Sequence, residues 1–384
     1  MSRFTATLIF CFQTALFWLA YLFSFLLFPY PKAKKAIYVG PDNVAGLATR
    51  IAKSNPAFQM LLVGTPMFRG YEFLGPPYGR GHSSRLAKLV AGPILLTVVC
   101  RRARGVVYLG ESGYLAPFHD ERRWEFGLLK RRGIKVMTFF TGSDIRSPAM
   151  SREASNSLGL EAVVDYVSLA FGPSPNEEIR PRAIAEVADD LADVILNAPV
   201  CQASYLKRVD HFFQNFAYVE HVPQIEDFLV SRLTLVHLPS RPLIKGTPVV
   251  RAAIFRLRQE GFDFIYDEVS GVPNEIARQR INRSQIIINQ LYMPMPGMLG
   301  IEAIEAGKVL VTSAFLGADP SIPSTEPTPW VVANSINIYD QLRKVLSMSP
   351  DELYEIALAS QQWLESSFEA KEAGERMLSW ITHE

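Results

Sequence analysis

The chain has 384 residues, 39 Lys or Arg against 38 Asp or Glu, a net charge of +1 and 48% hydrophobic residues. That length fits two domains or three, and near-neutral charge speaks against a nucleic-acid binder, which carries a basic surplus on one face. Cys11, Cys100 and Cys201 lie far apart with no histidine at ligand spacing, so they support neither a disulfide framework nor a zinc site and read as reduced, buried thiols.

Residues 5–30, TATLIFCFQTALFWLAYLFSFLLFPY, carry no charge. As a helix they would rise roughly 39 Å, enough to cross a hydrocarbon core of about 30 Å, with Pro29 and Pro31 ending the helix. The expectation is a single membrane-spanning anchor over residues 1–31. A cleaved signal peptide fits less well, because its apolar region is short and ends in small residues. A helix buried in the fold or lying along the membrane is the remaining alternative. Lys32, Lys34 and Lys35 follow the segment and only Arg3 precedes it, which puts the bulk of the chain in the cytoplasm.

Residues 32–228 read as a first Rossmann-like domain. Ala36–Val39 is a short strand, GPDNVAG a loop and Leu47–Lys53 a helix; Gly46 would let a ligand approach the backbone, or would serve a plain turn. The spacing is not that of the dinucleotide fingerprint. Met60–Gly64 reads as a strand, Tyr71–Gly81 as a loop, and Arg85–Arg104 as an apolar helix with a basic end that packs on the sheet or against a membrane surface. Gly105–Leu109 is the next strand. After the helix Trp124–Arg132 and the strand Lys135–Phe140 comes TGSDIR, where open α/β sheets hold their ligands. Asp144 could act there as a general base, with Arg146 as its partner or an anion ligand; the alternative is a capped turn in which Ser143 and Asp144 bond to backbone. Ala183–Leu191 is helical, Asp193–Asn197 a strand, Ala203–Leu206 the start of a helix, and Val219–Ile225 a last strand. Alternating strands and helices predict a parallel sheet covered on both faces.

Residues 229–362 read as a second such domain. Leu233–His237 is a strand, HLPSRPLIKGT a loop and Pro248–Glu260 a helix. Phe262–Tyr266 is a strand, as is Val269. Glu275–Asn282 is a helix, QIIINQ a buried strand, PMPGMLG a loop, IEAIEA a helix and Lys308–Thr312 a strand. Arg241 and Lys245, after a strand and before a helix, supply what a diphosphate needs: fixed positive charge beside free backbone N–H groups. Gly297 and Gly300 would let phosphate approach the amides of the next helix, whose Glu302 could accept two ribose hydroxyls. The alternative is that Lys245 is a solvated charge and Glu302 complements the helix dipole.

HLPSRPLIKGT together with GMLGIEAIEAGKVLV resembles the donor-binding domain of retaining GT-B glycosyltransferases of family 4 type. WEFGLLKRRGIKVMTFFTGSDIR resembles the first-domain stretch of bacterial relatives found with polysaccharide and flagellin-modification genes. The resemblance covers nearly everything after Lys35. It implies α/β architecture of the GT-B kind, two Rossmann-like domains with a cleft between them, with a terminal helix in residues 363–384 crossing back to the first domain. It implies that Lys245 and Arg241 contact the donor diphosphate, that Glu302 holds the ribose, and that Gly46 lets the diphosphate lie on the first domain. In the family a first glutamate precedes the second by eight positions; here that position is Pro294. The family's first-domain histidine has no clear counterpart, and TGSDIR offers Asp144 instead.

The expected function is transfer of a sugar from a nucleotide-sugar donor to an envelope glycan, lipid-linked or protein acceptor, with retention. No metal or other cofactor is expected, the leaving diphosphate being met by Arg241, Lys245 and helix amides. The rivals are a non-catalytic nucleotide-sugar-binding protein, motivated by Pro294, and a nucleotide-sugar epimerase.

Overall fold

The computed structural model describes residues 3–27, 36–63, 85–116, 119–172, 177–219, 221–324 and 327–382. Pro29, Pro31, Gly64 and the loop Tyr71–Gly81 lie outside them. The first half contains α1 (Arg3–Leu27), β1 (Ala36–Gly40), α2 (Leu47–Ser54), β2 (Phe58–Met60), α3 (Arg85–Arg102), β3 (Ala103–Leu109), α4 (Arg123–Arg131), β4 (Lys135–Phe139), α5 (Pro148–Ser157), α6 (Val163–Phe171), α7 (Ile179–Leu191), β5 (Val194–Asn197) and β6 (His211–Phe212). The second contains β7 (Thr234–His237), α8 (Pro242–Lys245), α9 (Thr247–Gln259), β8 (Ile265–Glu268), α10 (Asn274–Asn282), β9 (Ile286–Ile288), α11 (Gly297–Glu305), β10 (Val309–Thr312), β11 (Val331–Val332), α12 (Ile338–Leu346), α13 (Pro350–Phe368) and α14 (Ala370–Thr382).

The strands form two sheets, a six-stranded one in the order β2-β1-β3-β4-β5-β6 and a five-stranded one in the order β11-β10-β9-β7-β8. Every pairing in both is parallel. The central strands are buried on both faces, which is why Val106–Leu109 and Ile286–Ile288 read as unbroken apolar runs and Val136–Phe139 as one interrupted only by Thr138.

Four expected elements differ. The strand read over Met60–Gly64 lies earlier, at Phe58–Met60, where it pairs with β1. Among the described residues of Val219–Ile225 there is no strand; the first sheet ends at His211–Phe212, and a short 3₁₀ turn follows at Ile225–Asp227. Pro223 cannot donate to a ladder, and here the chain is crossing between sheets. Ala203–Leu206 forms no helix, being too short to nucleate one without flanking helical residues. In place of the strand Phe262–Tyr266 and a separate one at Val269 there is a single strand, Ile265–Glu268, set in register by β7. The helix read over Arg85–Arg104 runs unbroken through Gly92-Pro93 as α3, and Gly92 is required: a Cβ there would stand 1.9 Å from the Tyr114 carbonyl oxygen.

The halves interlock. α6 belongs by sequence to the first half, yet Ala162, Val163 and Val164 pack in the core around Leu235, Ile288 and Tyr292 of the second. The reverse exchange is made by α14, whose Ala370, Ala373, Met377 and Ile381 join Ile37, Val107 and Met137 under the first sheet. The two chain crossings lie side by side, the Ala217 N–H donating to the Phe368 carbonyl at 2.8 Å and the Ala370 N–H to the Ala217 carbonyl at 3.2 Å.

α1 is long and apolar enough to cross a membrane, a criterion that a signal sequence also meets. Cys11 on it is exposed, whereas Cys100 and Cys201 are buried free thiols.

Candidate nucleotide-binding site

Between the halves lies a cleft of about 900 Å³. One wall is the start of α2, with Gly46, Thr49, Arg50 and Lys53; the other is α10 and α11, with Asn274, Arg278, Glu302 and Glu305; Tyr218 and His221 close its base.

Gly46 sits at φ 79°, ψ 0°, in the left-handed region where a Cβ is strained, directly before α2. Asn43 fixes this turn, accepting from the Ala48 N–H at 2.9 Å and donating to the Thr49 hydroxyl at 2.9 Å. One helical turn on, Arg50 faces the same cleft and reaches across it. Its guanidinium binds both carboxylate oxygens of Glu305, Nη2 to Oε2 at 2.8 Å, and stands 4.0 Å from Glu302. Glu305 also accepts the Tyr218 N–H at 2.7 Å. Glu302 is 11% exposed and accepts from Asn274 at 3.4 Å. Burial raises its pKa, against the pull of Arg50, and Arg50 and Asn274 approach the carboxyl from the two walls.

Lys245 ends α8 and is partly buried. Its Nζ donates to the Gln290 side-chain oxygen, a neutral partner. Burial, with Arg146 as a like charge nearby, pulls its pKa down to about 8. Gln290 in turn donates to the Met295 carbonyl at 2.6 Å and stands 3.6 Å from where a Gly297 Cβ would be. The loops after β7 and β9 are thus joined at the carboxyl edges of adjacent strands, where parallel sheets hold ligands. His237 braces them from beneath: its Nδ1–H donates to the Ile288 carbonyl at 2.8 Å and its Nε2 accepts from the Thr247 hydroxyl at 2.9 Å. Burial lowers its pKa, which keeps this doubly used ring neutral.

Gly46 and Glu302 therefore meet in the cleft, and Lys245 and Gly297 meet through Gln290. Arg241, Gly300, Asp144 and Arg146, also singled out in the sequence, are used differently. Arg241 is exposed and lays its guanidinium 5.1 Å over the Phe171 ring. Gly300 is a packing glycine: a Cβ there would lie 2.7 Å from that of Pro296 and 3.0 Å from the Asn289 side chain. Gly297, at φ 63°, is exposed at the start of α11. Asp144 does not line the cleft. Its carboxylate accepts the N–H groups of Thr141 at 2.9 Å and Gly142 at 2.6 Å, the capped-turn arrangement of TGSDIR. Burial raises its pKa while those backbone donors oppose the rise. Arg146 donates to the Cys201 carbonyl at 2.9 Å rather than pairing with Asp144. Pro294 is buried beside Tyr292, Ser151 and Cys201, so the position where the resemblance would set a carboxylate faces α5.

Arg50, Asn274, Glu305 and Gln290 were not singled out in the sequence. Helical spacing carries the signal for two of them: Arg50 lies four residues after Gly46, and Glu305 three after Glu302, each on the face of its predecessor. Gln290, at the exit of a buried apolar strand, is a polar group placed at the ligand edge. Among the described residues no group of three or more His, Cys, Asp or Glu side chains could hold a metal ion.

No protein-family model matches the chain, and no curated protein matches it. Solved structures do. Anabaena HepE in complex with UDP and glucose superposes with a TM-score of 0.55 at 10% identity, covering 90% of this chain and 98% of its own. Sucrose-phosphate synthase from Thermosynechococcus elongatus gives 0.56 at 10% identity, covering 90% and 97%. At that identity the likeness is one of fold. The chain has the GT-B architecture, two Rossmann-like units with a cleft between them, with an apolar helix at the N-terminus.

Proposed function

We propose that the chain is a glycosyltransferase that takes its sugar from a nucleotide-sugar donor. The carrying observation is the pairing of Lys245, a partly buried cation with an uncharged partner, with Gly297 at a helix N-terminus on the adjacent βα loop. A diphosphate fits that combination of charge and free amides. The cleft beside it, with the Gly46 turn on one wall and Glu302 on the other, offers a nucleoside the carboxylate that its ribose needs. HepE, of the same fold, binds UDP and glucose, which supports a UDP-sugar as the first donor to test.

In this reading Lys245 and the α11 amides meet the charge that builds on the leaving diphosphate, without a divalent ion, and Glu302 fixes the ribose. Arg241, freed from the Phe171 ring, joins the diphosphate. The resemblance to family 4 favours retention and a hexosyl group; the apolar helix favours an envelope glycan or lipid-linked acceptor over a protein, with the catalytic body on the cytoplasmic side.

One observation favours a second reading. By the family resemblance Pro294 stands where a carboxylate would lie near the transferred sugar, and Asp144 is engaged by its own turn, so a nucleotide-sugar-binding protein without turnover would need the same cleft. UDP release from UDP-sugars in the presence of glycan and lipid-linked acceptors separates the two; an epimerase would instead change the free sugar nucleotide with no acceptor. Glu302→Ala is expected to weaken UDP binding by roughly 10- to 100-fold, the loss of two hydrogen bonds to a charged acceptor. Calorimetric titration checks it, and an unchanged affinity would remove Glu302 from the site.

A further inference from the structure

α1 does not project from the body; it lies along it. Ala6, Phe10, Gln13, Phe17, Tyr21 and Ser24 recur at helical spacing and face inward. The inner stripe carries polar contacts along its length. Thr7 meets His119 at 3.4 Å, Gln13 donates to the Leu89 carbonyl at 3.1 Å and accepts from the Ala116 N–H at 2.8 Å, and the Tyr21 hydroxyl binds Arg132. Ser24 accepts from Arg101 at 3.2 Å, and Arg101 stacks 4.2 Å over Phe25.

From Thr7 to Phe25 the contacts run over roughly 27 Å of helix, nearly the thickness of a hydrocarbon core. A spanning orientation would strip them all, or draw Arg101, Arg132 and His119 into lipid, where charged and polar side chains are strongly disfavoured.

The outer stripe is apolar: Phe4, Leu8, Phe12, Leu19, Leu22, Phe23 and Leu26 are exposed, Leu26 by 78%, and Val90 and Ile94 of α3 extend it. A soluble surface seldom leaves so much contiguous apolar area uncovered. The segments of α1 and α3 have one sign of charge, while the 119–132 stretch that also packs on α1 is mixed, with Asp120 and Glu121 next to the Phe10–His119 contact. Residues 1–41 hold four Lys or Arg and residues 85–110 hold five, with no Asp or Glu in either stretch. Exposed Arg102, Arg104 and Arg131 stand near the end of α1 that Arg101 and Arg132 hold.

We propose that α1 and α3 form an in-plane docking face for a bilayer bearing anionic lipid, with the outer stripe of α1 sunk to the acyl boundary and the arginine cluster against the headgroups. An apolar face with a cationic margin has this complementarity. The proposal is independent of the sugar-transfer reading.

Flotation of the full chain with vesicles tests it. Binding is expected to phosphatidylcholine vesicles containing phosphatidylglycerol, weaker to phosphatidylcholine alone, with the difference reduced by salt. Phe12→Glu with Leu19→Glu should lower the partition coefficient at least about tenfold, from the loss of two large buried apolar groups, with the thermal midpoint unchanged. To separate in-plane from spanning, Ser2→Cys in a Cys11→Ser background is exposed to a membrane-impermeant maleimide. Labelling without detergent is expected; labelling only after detergent would show a spanning helix and overturn the proposal. So would unchanged flotation of the double variant, or a wild-type dimer that the double variant dissolves and that does not float, which would make the occupant a second copy.

Discussion

Replacing Lys245 with alanine is expected to lower kcat/KM for the nucleotide-sugar donor roughly 10²- to 10³-fold, the usual consequence of removing one fixed donor from a developing oxyanion. The side chain already sits where little water competes, held by the Gln290 amide, so the protein has met its desolvation before any donor arrives. Its depressed pKa makes the effect visible in a pH profile. A lysine with a pKa near 8 is charged below that pH and loses its charge above it. The kcat/KM of the wild type, which reports the free enzyme, should therefore be level below about pH 8 and fall tenfold per unit above it. Lys245→Arg keeps its charge throughout that range and should lose the alkaline fall, even if its longer fork seats the donor less well. If Lys245→Ala lowered the thermal midpoint and left donor kinetics intact, the lysine would be a brace for the Gln290 loop and the diphosphate would have to lie elsewhere.

Removing Glu305 is expected to destabilise the chain by about 3–5 kcal/mol, the range for breaking a buried ion pair from one side. The Arg50 and Glu305 side chains are 15% and 9% exposed, and the pair is bidentate. Glu305→Ala leaves the Arg50 guanidinium without its main partner and the Tyr218 N–H without an acceptor. Equilibrium urea unfolding measures the loss. The pair Arg50→Met with Glu305→Leu, which removes both charges, should recover most of it, because apolar groups of similar size often replace a buried ion pair at little cost. A loss under about 1 kcal/mol in the single variant would mean that the two halves are held together elsewhere, by α6 and α14 alone. Nucleotide binding should fall too: Arg50, released from Glu305, has Glu302 within 4.0 Å, and a carboxylate neutralised by arginine is a poorer partner for ribose hydroxyls.

Much of the fold was legible because buried parallel strands announce themselves. QIIINQ and KVLVT could only be strands between helices, and the loops after them had to lie at one edge of a sheet. Lys245, Gly297 and Glu302 stood out for the same reason, being unusual residues at that edge. What escaped depends on contacts that sequence distance hides. Arg50 and Glu305 are 255 residues apart. Nothing local in Val163–Phe171 says that it packs against Leu235 rather than its own sheet. For Asp144 the sequence leaves a general base and a capped turn both open, because an acidic residue past a strand looks the same in either role; only the Thr141 and Gly142 amides decide it. Arg241 looked like half of a cation pair, but an exposed arginine takes the nearest aromatic face, here Phe171.

The exchange of α6 and α14 between the halves has a consequence for synthesis. As the chain leaves the ribosome, the first sheet emerges complete in its strands but lacks the helix whose Met377 and Ile381 cover one of its faces, and that helix is made only after the whole second sheet. The second sheet waits for nothing downstream of α13 and already has α6 behind it. Assembly should therefore run backwards: the later-made unit closes first, and the earlier-made one stays open with its apolar face exposed until α14 arrives to finish it.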